Sequence, residues 1–366
     1  MTVTEAMIVA GGRGTRLQPL TFATPKPLLP FCGAPFLAGV IARLAAVGVT
    51  KVWLVVGADT EPFEVLRGPA AALGVEIASV PEPEPLDTAG GVREVIDDVH
   101  DTLLVLNGDI LTDVDLAAVI AHHQATGADA TITLHRVEDT SSYGVCVREG
   151  TRITQFVEKP TPGTLPGQDA INAGTYVIEP AVLREFPKGR LSFERQVFPG
   201  VLERGGHLEG FVWDGAWADL GTPERYREGT RLALSGALHW PTVENVPDRG
   251  DGVRIQDGAE VHDDAELVGP TLVLAGATIA ADAHVGPVTV VGHDARIGAA
   301  ADVHGSVLFD RAEVGGGVRA DGLLAGIGAR VECGALLGRN VVLGDEQIVS
   351  GGAEVPDEAR IPEPTG

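Results

Sequence analysis

The chain has 366 residues, of which 44% are hydrophobic, and this length and composition suit two globular domains. The formal net charge of −24 argues against nucleic acid or an anionic membrane as a partner, because the overall field repels phosphate. The N-terminus has no positively charged leader, and no uncharged run approaches a membrane span in length. Cys32, Cys146 and Cys333 are odd in number and far apart, which predicts unpaired thiols in a reducing cytoplasm.

The first predicted strand is the apolar run 6–10, and a glycine-rich loop, GGRGTRLQPLTFATPKPLLP, follows it from Gly11. Open α/β sheets bind their ligands at the carboxyl ends of the strands, where this loop begins. We expect Gly11, Gly12 and Gly14 to turn with positive φ and to present backbone N–H groups to an anion. An ordinary tight turn is the alternative for the glycines alone.

Three cations stand in or near this loop, although the chain as a whole is acidic: Arg13, Arg16 and Lys26. Prolines surround Lys26 in the string Thr-Pro-Lys-Pro-Leu-Leu-Pro and restrict the backbone that carries its ammonium group. The pattern predicts a site for a polyphosphate with a fixed lysine at one end.

Strands and helices then alternate, which predicts a Rossmann-like doubly wound mixed sheet, mostly parallel. The predicted strands are 51–56, 75–80, 101–106, 130–134, 145–148, 153–158, 175–178 and 208–213, and the predicted helices are 35–48, 61–73, 115–124, 192–204 and 223–234.

Two aspartates follow apolar strands and are candidate ligands of a hard cation. Asp109 ends the string Asn-Gly-Asp after the strand 101–106, and Asp219 precedes a predicted helix start at Thr222-Pro223. Mg²⁺ usually binds one or two carboxylates together with substrate phosphates. The alternatives are a helix-capping role for Asp109 and local turn chemistry for Asp219.

From Ile255 onward, an aliphatic or aromatic residue returns every six positions, with a small residue two positions before most of them. This period fits neither an α-helix nor a lone strand, and it predicts a solenoid of short strands with small residues at its corners. The repeated positions are Ile255, Val261, Leu267, Val273, Ile279, Val285, Val291, Ile297, Val303 and Phe309, and then, in a shifted frame, Val331, Leu337, Leu343, Val349, Val355 and Ile361.

The shift of frame falls around Gly315-Gly316-Gly317 and predicts a loop that protrudes from one coil. The segment 237–252 has two prolines and mixed charge and is predicted to be a linker. The predicted domains are therefore 1–236, an α/β domain, and 253–362, the solenoid.

The string from Gly11 to Pro27 resembles the signature of sugar-1-phosphate nucleotidylyltransferases, also called nucleotide-sugar pyrophosphorylases. Their pattern is Gly-Gly-x-Gly-Thr-Arg-Leu-x-Pro-Leu-Thr followed by Pro-Lys-Pro, and the chain matches it throughout. The hexads resemble the left-handed parallel β-helix that ends many members. Across both domains the chain is most similar to mannose-1-phosphate guanylyltransferases with a short β-helix.

The resemblance implies that the loop residues and Arg16 hold the β- and γ-phosphates, that Lys26 neutralises charge at the α-phosphate, and that Mg²⁺ lies between Asp109 and Asp219. The loop residues concerned are Gly11, Gly12, Arg13, Gly14 and Thr15, and Gly108 belongs to the same edge.

The resemblance also implies a sugar-phosphate site in three further strings. In Phe-Val-Glu-Lys-Pro it puts Glu158 on sugar hydroxyls and Lys159 on the sugar phosphate. Adjacent strand residues point to opposite faces, so we do not expect these two side chains to be simply paired with each other. The alternative is a solvated charge pair. Asn172 and Gly174, with Gly144, are the other implied sugar contacts.

The string 84–91 resembles the nucleoside-binding turn, with Thr88 and Gly90 among its residues, but it carries Asp87 where many relatives have glycine. A carboxylate there accepts hydrogen bonds from guanine in one interpretation. In the other, Asp87 or Thr88 caps the following helix.

The resulting hypothesis is an enzyme that transfers a nucleotidyl group from an NTP to a sugar 1-phosphate and releases pyrophosphate. The favoured substrates are GTP and mannose 1-phosphate. The alternatives are the same chemistry on another sugar or cyclitol phosphate, a bifunctional enzyme whose β-helix transfers acyl groups, and a non-catalytic regulatory homologue. We expect a cytoplasmic homo-oligomer, since stacked β-helices can bury apolar area between subunits.

Overall fold

The structure is a computed structural model that describes residues 3–161 and 169–364. Its contacts divide the chain into two compact units. The first unit consists of Met1–Gly12 and Val40–Trp217, and the second of Arg13–Gly39 and Ala218–Gly366. The second unit thus contains part of the glycine-rich loop as well as the hexads, so it cuts across the domain boundaries predicted from the sequence.

The helices and longer strands of the first 244 residues follow the predicted alternation closely. Short 3-10 helices lie at Thr15–Leu17, Lys26–Leu28, Glu61–Leu66 and Ile96–Asp98, and a π-helical turn at Phe193–Val197. The main elements are β1 (Glu5–Val9), β2 (Pro30–Phe31), β3 (Ala34–Pro35), α1 (Phe36–Ala46), β4 (Lys51–Gly57), α2 (Arg67–Ala72), β5 (Glu76–Glu82), α3 (Asp87–Val95), β6 (Leu103–Asn107), β7 (Ile110–Thr112), α4 (Leu116–Thr126), β8 (Ala130–Arg136), β9 (Gly144–Glu149), β10 (Arg152–Glu158), β11 (Ala170–Ile178), α5 (Pro180–Arg184), α6 (Phe198–Glu203), β12 (Leu208–Val212), β13 (Trp217–Asp219), α7 (Pro223–Leu234) and α8 (Pro241–Glu244).

The first unit is built on a nine-stranded mixed sheet in the order β5-β4-β1-β6-β11-β8-β12-β10-β9. The four strands β5, β4, β1 and β6 are parallel, as is the pair β8 and β12, whereas β9, β10 and β11 run antiparallel to their neighbours. The mixed doubly wound sheet is confirmed, but the expectation that it is mostly parallel holds only for its first half. Because β1, β4, β5 and β6 are parallel, their carboxyl ends share one edge, and the chain segments that leave that edge include Gly11, Glu82 and Asn107.

The hexads of the second unit form stacked parallel sheets of very short strands, which fits the predicted left-handed parallel β-helix. Its strands are β14 (Val253–Ile255), β15 (Glu260–Val261), β16 (Glu266–Leu267), β17 (Thr271–Val273), β18 (Thr278–Ile279), β19 (His284–Val285), β20 (Thr289–Val291), β21 (Arg296–Ile297), β22 (Asp302–His304), β23 (Val307–Leu308), β24 (Glu313–Val314), β25 (Arg319–Asp321), β26 (Leu324–Ala325), β27 (Arg330–Val331), β28 (Leu336–Leu337), β29 (Val342–Leu343), β30 (Ile348–Val349), β31 (Glu354–Val355) and β32 (Arg360–Ile361).

The small residues before the repeated positions lie inside the solenoid, as predicted. Ala277, Ala283, Ala295 and Ala301 are buried in one apolar cluster with the aliphatic residues of the hexads. The small side chains leave room at the corners, so that the aliphatic side chains fill the axis.

The prediction of a protruding loop at Gly315-Gly316-Gly317 is wrong. Val290 of β20 pairs with Val307 of β23, so this coil is one residue shorter than the coil in which Leu272 pairs with Val290. The shortening lies before Phe309, and it puts Leu308 on the axis while Phe309 is turned out of the axial cluster. A second coil is shortened in the same way, because Val307 pairs with Leu324. Each missing residue shifts every later side chain by one place, and the period alone does not reveal where the residues are lost.

The segment 237–252, predicted to be a linker, contains α8 and a fully buried tryptophan. Trp240 is 1% exposed, stacks on Phe36 at a centroid distance of 5.3 Å and meets Phe31 edge-on at 5.4 Å. Gly39 of α1 lies against the same indole, because a Cβ there would stand 2.3 Å from Cζ2 of Trp240. These contacts lie within the second unit and fix the end of the segment that carries Lys26.

Gly39→Ala is expected to lower the free energy of unfolding by about 1–3 kcal/mol or more, because the added methyl overlaps a fully buried ring. Gly68→Ala is the matched control, since Gly68 is also helical and a Cβ there would meet nothing within 4 Å. That substitution is expected to be neutral or slightly stabilising. Urea unfolding of both variants measures the difference, and equal stabilities would contradict the tight contact with Trp240.

Candidate active site

In the first unit, the end of β1 is held tightly against its neighbours. The N–H of Gly108 donates to the carbonyl of Val9 at 2.8 Å, and a Cβ on Gly108 would stand 2.9 Å from that same oxygen. Glycine is therefore required where the chain leaves β6. Asp109 follows at once and is half-buried.

Gly11 and Gly12 are exposed at the carboxyl end of β1, but neither has a positive φ. The predicted positive φ is found only at Gly14, at 63°. The prediction for Gly11 and Gly12 is wrong because the turn needs only one left-handed residue. For Gly11, small size matters more, since a Cβ would approach a carboxylate oxygen of Glu82 to 3.0 Å.

Glu82, at the end of β5, is a candidate site residue that the sequence analysis missed. Its side chain is buried, with the whole residue 8% exposed, and its Oε1 atom has no hydrogen-bond partner among the described residues. Burial raises the pKa of this carboxyl, although backbone N–H groups of Gly91 and Leu86 oppose the rise. A buried carboxylate that has an oxygen without a hydrogen-bond partner and lies beside the glycine-rich loop is a candidate for ligand recognition. The only signal in the sequence is an acidic residue at a strand end.

The side chain of Asp87 is engaged within the protein. Its carboxylate accepts from the N–H of Thr88 at 3.0 Å and from Arg195 at 2.8 Å, and Arg190 lies 3.8 Å away. No side chain caps the start of α3, so the capping alternative is not observed.

Two of the other predicted residues of this turn are packing residues in the structure. Thr88 donates to Glu194 at 2.7 Å and accepts from the N–H of Phe193 at 2.9 Å. A Cβ on Gly90 would stand 2.6 Å from the carbonyl oxygen of Gly189. These contacts hold the start of α3 against the segment 189–193.

Glu158 and Lys159 lie closer together than predicted. Their side chains approach to 3.9 Å, because Lys159 leaves β10 with a left-handed φ of 47° and the alternation of faces ends there. The expectation that they are not paired is therefore wrong. Burial raises the pKa of the Glu158 carboxyl most, and the negative charge of the nearby Glu194 raises it further. The Lys159 side chain is 66% exposed, so its ammonium group is accessible to a ligand.

Asn172, Gly174 and Gly144 make internal contacts around the same strands. The Asn172 amide accepts from the N–H of Gly174 at 3.0 Å and donates to the Tyr176 hydroxyl at 2.8 Å. Gly174 has a φ of 77°, and a Cβ on Gly144 would stand 2.9 Å from Oε2 of Glu158. Gly144 therefore makes room for Glu158.

A second feature missed from the sequence is an aromatic group beside these residues. Trp217 donates from its indole N–H to the carbonyl of Ala173 at 3.0 Å, stacks on His135 at 5.5 Å and meets Tyr143 edge-on at 5.7 Å. Its partners come from three distant parts of the chain, so no local pattern reveals it. Aromatic faces of this kind suit the C–H surface of a sugar.

In the second unit, Gly14 brings Lys26 against the loop. A Cβ on Gly14 would stand 2.9 Å from Cβ of Lys26, and the hydroxyl of Thr21 donates to the carbonyl of Gly14 at 2.8 Å. Lys26 begins a 3-10 helix after Pro25, and its side chain is only 9% exposed. Proline, glycine and burial together restrict this lysine, as predicted, whereas Arg13 and Thr15 are exposed.

Lys26, Asp219 and Arg16 converge in the second unit. The Lys26 ammonium lies 3.9 Å from Oδ1 of Asp219, and Arg225 donates to Oδ2 at 2.5 Å. A Cβ on Gly221 would stand 2.5 Å from Oδ1 of Asp219 and 2.8 Å from a guanidinium nitrogen of Arg16. The helix-capping role belongs to Thr222, whose hydroxyl accepts from the N–H of Arg225 at 3.3 Å, while the Asp219 carboxylate pairs with Lys26 and the Arg225 side chain.

Oδ1 of Asp219 is buried and has no hydrogen-bond partner among the described residues. An oxygen in this state is suited to bind a cation. No group of three His, Cys, Asp or Glu side chains that could hold a metal was found in the parts of the chain that the structure describes. Mg²⁺ does not require such a group, because it keeps waters and binds substrate phosphates.

A doubly wound α/β sheet with a glycine-rich loop after its first strand is an arrangement typical of nucleotide-binding enzymes. The family model "Nucleotidyl transferase" matches residues 5–236. The chain belongs to this family and is an enzyme of it.

The chain is similar over most of its length to relatives of named activity. The chain is 38% identical over 317 residues to the mannose-1-phosphate guanylyltransferase of Mycobacterium tuberculosis, covering 86% of this chain and 82% of that protein. It is 32% identical over 371 residues to mannose-1-phosphate guanylyltransferase 1 of Arabidopsis thaliana, covering 96% of each. The crystal structure of HddC from Yersinia pseudotuberculosis matches 62% of this chain and 98% of that chain, at a TM-score of 0.53 and 27% identity. Among the described residues, no helix is both long and apolar enough to cross a membrane.

Proposed function

We propose that this enzyme transfers GMP from GTP to mannose 1-phosphate, giving GDP-mannose and pyrophosphate. The proposal is supported by relatives named as mannose-1-phosphate guanylyltransferases that span nearly the whole chain. The structural observation that carries it is the buried Lys26, which pairs at 3.9 Å with an oxygen of Asp219 that has no hydrogen-bond partner among the described residues, with Arg16 also beside Asp219.

The reaction needs alignment and charge stabilisation more than proton transfer. An oxygen of the sugar phosphate, already anionic, attacks the α-phosphorus of the triphosphate; the new P–O bond forms as the bond to the β-phosphate breaks. Pyrophosphate leaves with the electron pair, so no protein base is required. Arg16 and the loop N–H groups bind the β- and γ-phosphates, Lys26 binds at the α-phosphate, and Lys159 orients the attacking phosphate.

A divalent cation is part of the proposal, and Mg²⁺ is the favoured ion. When bound, it would neutralise phosphate charge. The unpartnered Oδ1 of Asp219 and the half-buried Asp109 are the proposed ligands. Both are hard oxygen donors of the kind that Mg²⁺ prefers.

For the choice of base, Glu82 is a better candidate than Asp87. The Asp87 carboxylate already binds Arg195, whereas one oxygen of Glu82 lacks a partner and the other lies beside Gly11. A carboxylate can accept from both N1–H and the 2-amino group of guanine, which no other common base offers together.

Glu82→Gln is expected to lower kcat/KM for GTP about tenfold or more. The NH₂ group of the glutamine would face the N–H groups of guanine, and two donors cannot hydrogen-bond to each other. The loss is expected to be smaller with ITP, which lacks the 2-amino group. Glu84→Gln is the matched control, since Glu84 is exposed two residues away. Unchanged GTP kinetics in Glu82→Gln, with a loss in Asp87→Asn, would assign the base to Asp87 instead.

Release of pyrophosphate from a panel of nucleoside triphosphates and sugar 1-phosphates tests the whole proposal. We expect GTP with mannose 1-phosphate to give the highest kcat/KM. Preference for another sugar or a cyclitol phosphate would replace the substrate but keep the chemistry. No turnover with any pair would favour a regulatory homologue, and acyl transfer from an acyl-CoA to a nucleotide sugar would favour a bifunctional enzyme.

Cytoplasmic location and a homo-oligomeric state also stay proposals. Cys32, Cys146 and Cys333 are free thiols, which supports a reducing compartment. Light scattering in solution measures the subunit number.

A further inference from the structure

The last strand of the β-helix carries a charged residue where the strands that precede it in the stack carry apolar ones, and the first strand, with Arg254, is the other exception. In the sheet that ends with β32, Arg360 pairs with Val342, which pairs with Leu324 in turn. Val342 and Leu324 are buried, and Ile361 packs partly against the axial cluster. Since neighbouring strand residues face opposite sides, Arg360 points outward on the same face as that apolar row.

Arg360 binds the backbone of the glycine-rich loop. One guanidinium nitrogen, Nη1, donates to the carbonyl of Arg16 at 2.8 Å and to the carbonyl of Gln18 at 3.3 Å. These carbonyls lie in and just after the 3-10 helix Thr15–Leu17. Both are backbone groups near the start of the chain, and the arginine lies near its end.

Other groups of the last coils lie against the same segment. A Cβ on Gly344 would stand 3.1 Å from Cβ of Pro19, so glycine permits a close approach there. The hydroxyl of Thr24 donates to Asp345 at 3.4 Å. The segment from Arg16 to Thr24 is therefore bounded by residues of the β-helix within the second unit.

The charge of Arg360 also acts on the helix that follows Asp219. Burial alone would raise the pKa of the Glu224 carboxyl, but hydrogen bonds from its own N–H and from Thr222, with the charges of Arg227 and Arg360, lower it. Glu224 stands in the first turn of α7, whose start follows Asp219. The Arg360 guanidinium thus binds the segment that carries Arg16, and its charge acts on the helix that follows Asp219.

We propose that Arg360 is a positioning residue for nucleotidyl transfer: from the last strand of the β-helix it fixes the backbone of Arg16, and so directs the Arg16 guanidinium toward the triphosphate. This inference rests on the proposed role of Arg16. It gives the β-helix a part in substrate binding, which its period and packing alone do not imply.

The test is a double-mutant cycle between Arg16→Ala and Arg360→Ala, measured by steady-state kinetics in the full-length enzyme with the substrate pair that the wild type uses best. Arg360→Ala is expected to raise KM for the triphosphate about tenfold, with KM for the sugar phosphate unchanged. In the Arg16→Ala background, loss of Arg360 is expected to cost little more, because the two residues act through one group. Arg360→Lys keeps a donor and is expected to recover part of the effect.

Arg339→Ala is the control, because Arg339 is an exposed arginine of the same β-helix, 3.6 Å from Asp357, and contacts no part of the loop that the structure describes. It is expected to behave as wild type. Wild-type kinetics in Arg360→Ala, equal effects in the two backgrounds, or a rise in both KM values together with a lower Tm would overturn the proposal. If mannose 1-phosphate and GTP are not the preferred pair, the proposed substrates fail but the cycle is still decided with the preferred pair.

Discussion

Lys26→Ala is expected to lower kcat/KM for nucleotidyl transfer by about a hundredfold or more, while the protein stays folded. The lysine is held by Pro25 and Gly14 and is nearly buried, so its charge is already in place before substrate binds. Such preorganised charge stabilises a transition state more strongly than a mobile surface lysine does. Pyrophosphate release measures the rate, and Tm measures the fold.

The control for Lys26 is Lys188→Ala, because Lys188 is half-exposed, donates to the carbonyl of Glu94 and pairs at the surface with Glu94 and Asp97. It is expected to retain wild-type activity. Lys26→Arg keeps the charge on a bulkier group and is expected to recover little, since the lysine side chain is only 9% exposed and its surroundings leave little room for a guanidinium. Wild-type turnover in Lys26→Ala would remove the mechanism.

Asp219→Asn is expected to cost a similar factor, about a hundredfold, and to raise the Mg²⁺ concentration needed for half-maximal rate. The amide keeps the shape but replaces an anionic ligand by a neutral one beside Lys26. Asp109→Ala is expected to be near-inactive and folded for the same reason. Rates across a MgCl₂ titration provide the measurement.

Asp214→Asn is the matched control, because the Asp214 carboxylate is exposed and pairs with Arg136 at 2.5 Å. It is expected to leave both the rate and the Mg²⁺ requirement unchanged. If Asp219→Asn gave the same Mg²⁺ titration as wild type, Asp219 would not be a metal ligand.

Local patterns predicted the features whose cause is local. The rigid lysine was visible because prolines and a glycine stand beside it in the sequence, and the solenoid because each hexad repeats the same packing problem. The mixed sheet was visible from the alternation of strands and helices. In each case the residues that determine the structure lie within a few positions of the residue concerned.

Features set by distant partners were not predictable in this way. The carboxylate of Asp87 is bound by Arg195, and Glu82 is confined by Gly91 and Gly11, so their environments depend on folding across the sheet edge. The left-handed backbone of Lys159 and the short coil before Phe309 are single-residue events without a periodic signal.

The division of the chain has a consequence for its synthesis. Residues 13–39 leave the ribosome early, but their partners in the second unit, Trp240 and Arg360 among them, are made only near the end of translation. During most of elongation, the segment that carries Lys26 therefore lacks these partners, and its aromatic side chains stay exposed. We expect nascent chains halted before residue 240 to expose this segment to proteases, and chains released at full length to protect it.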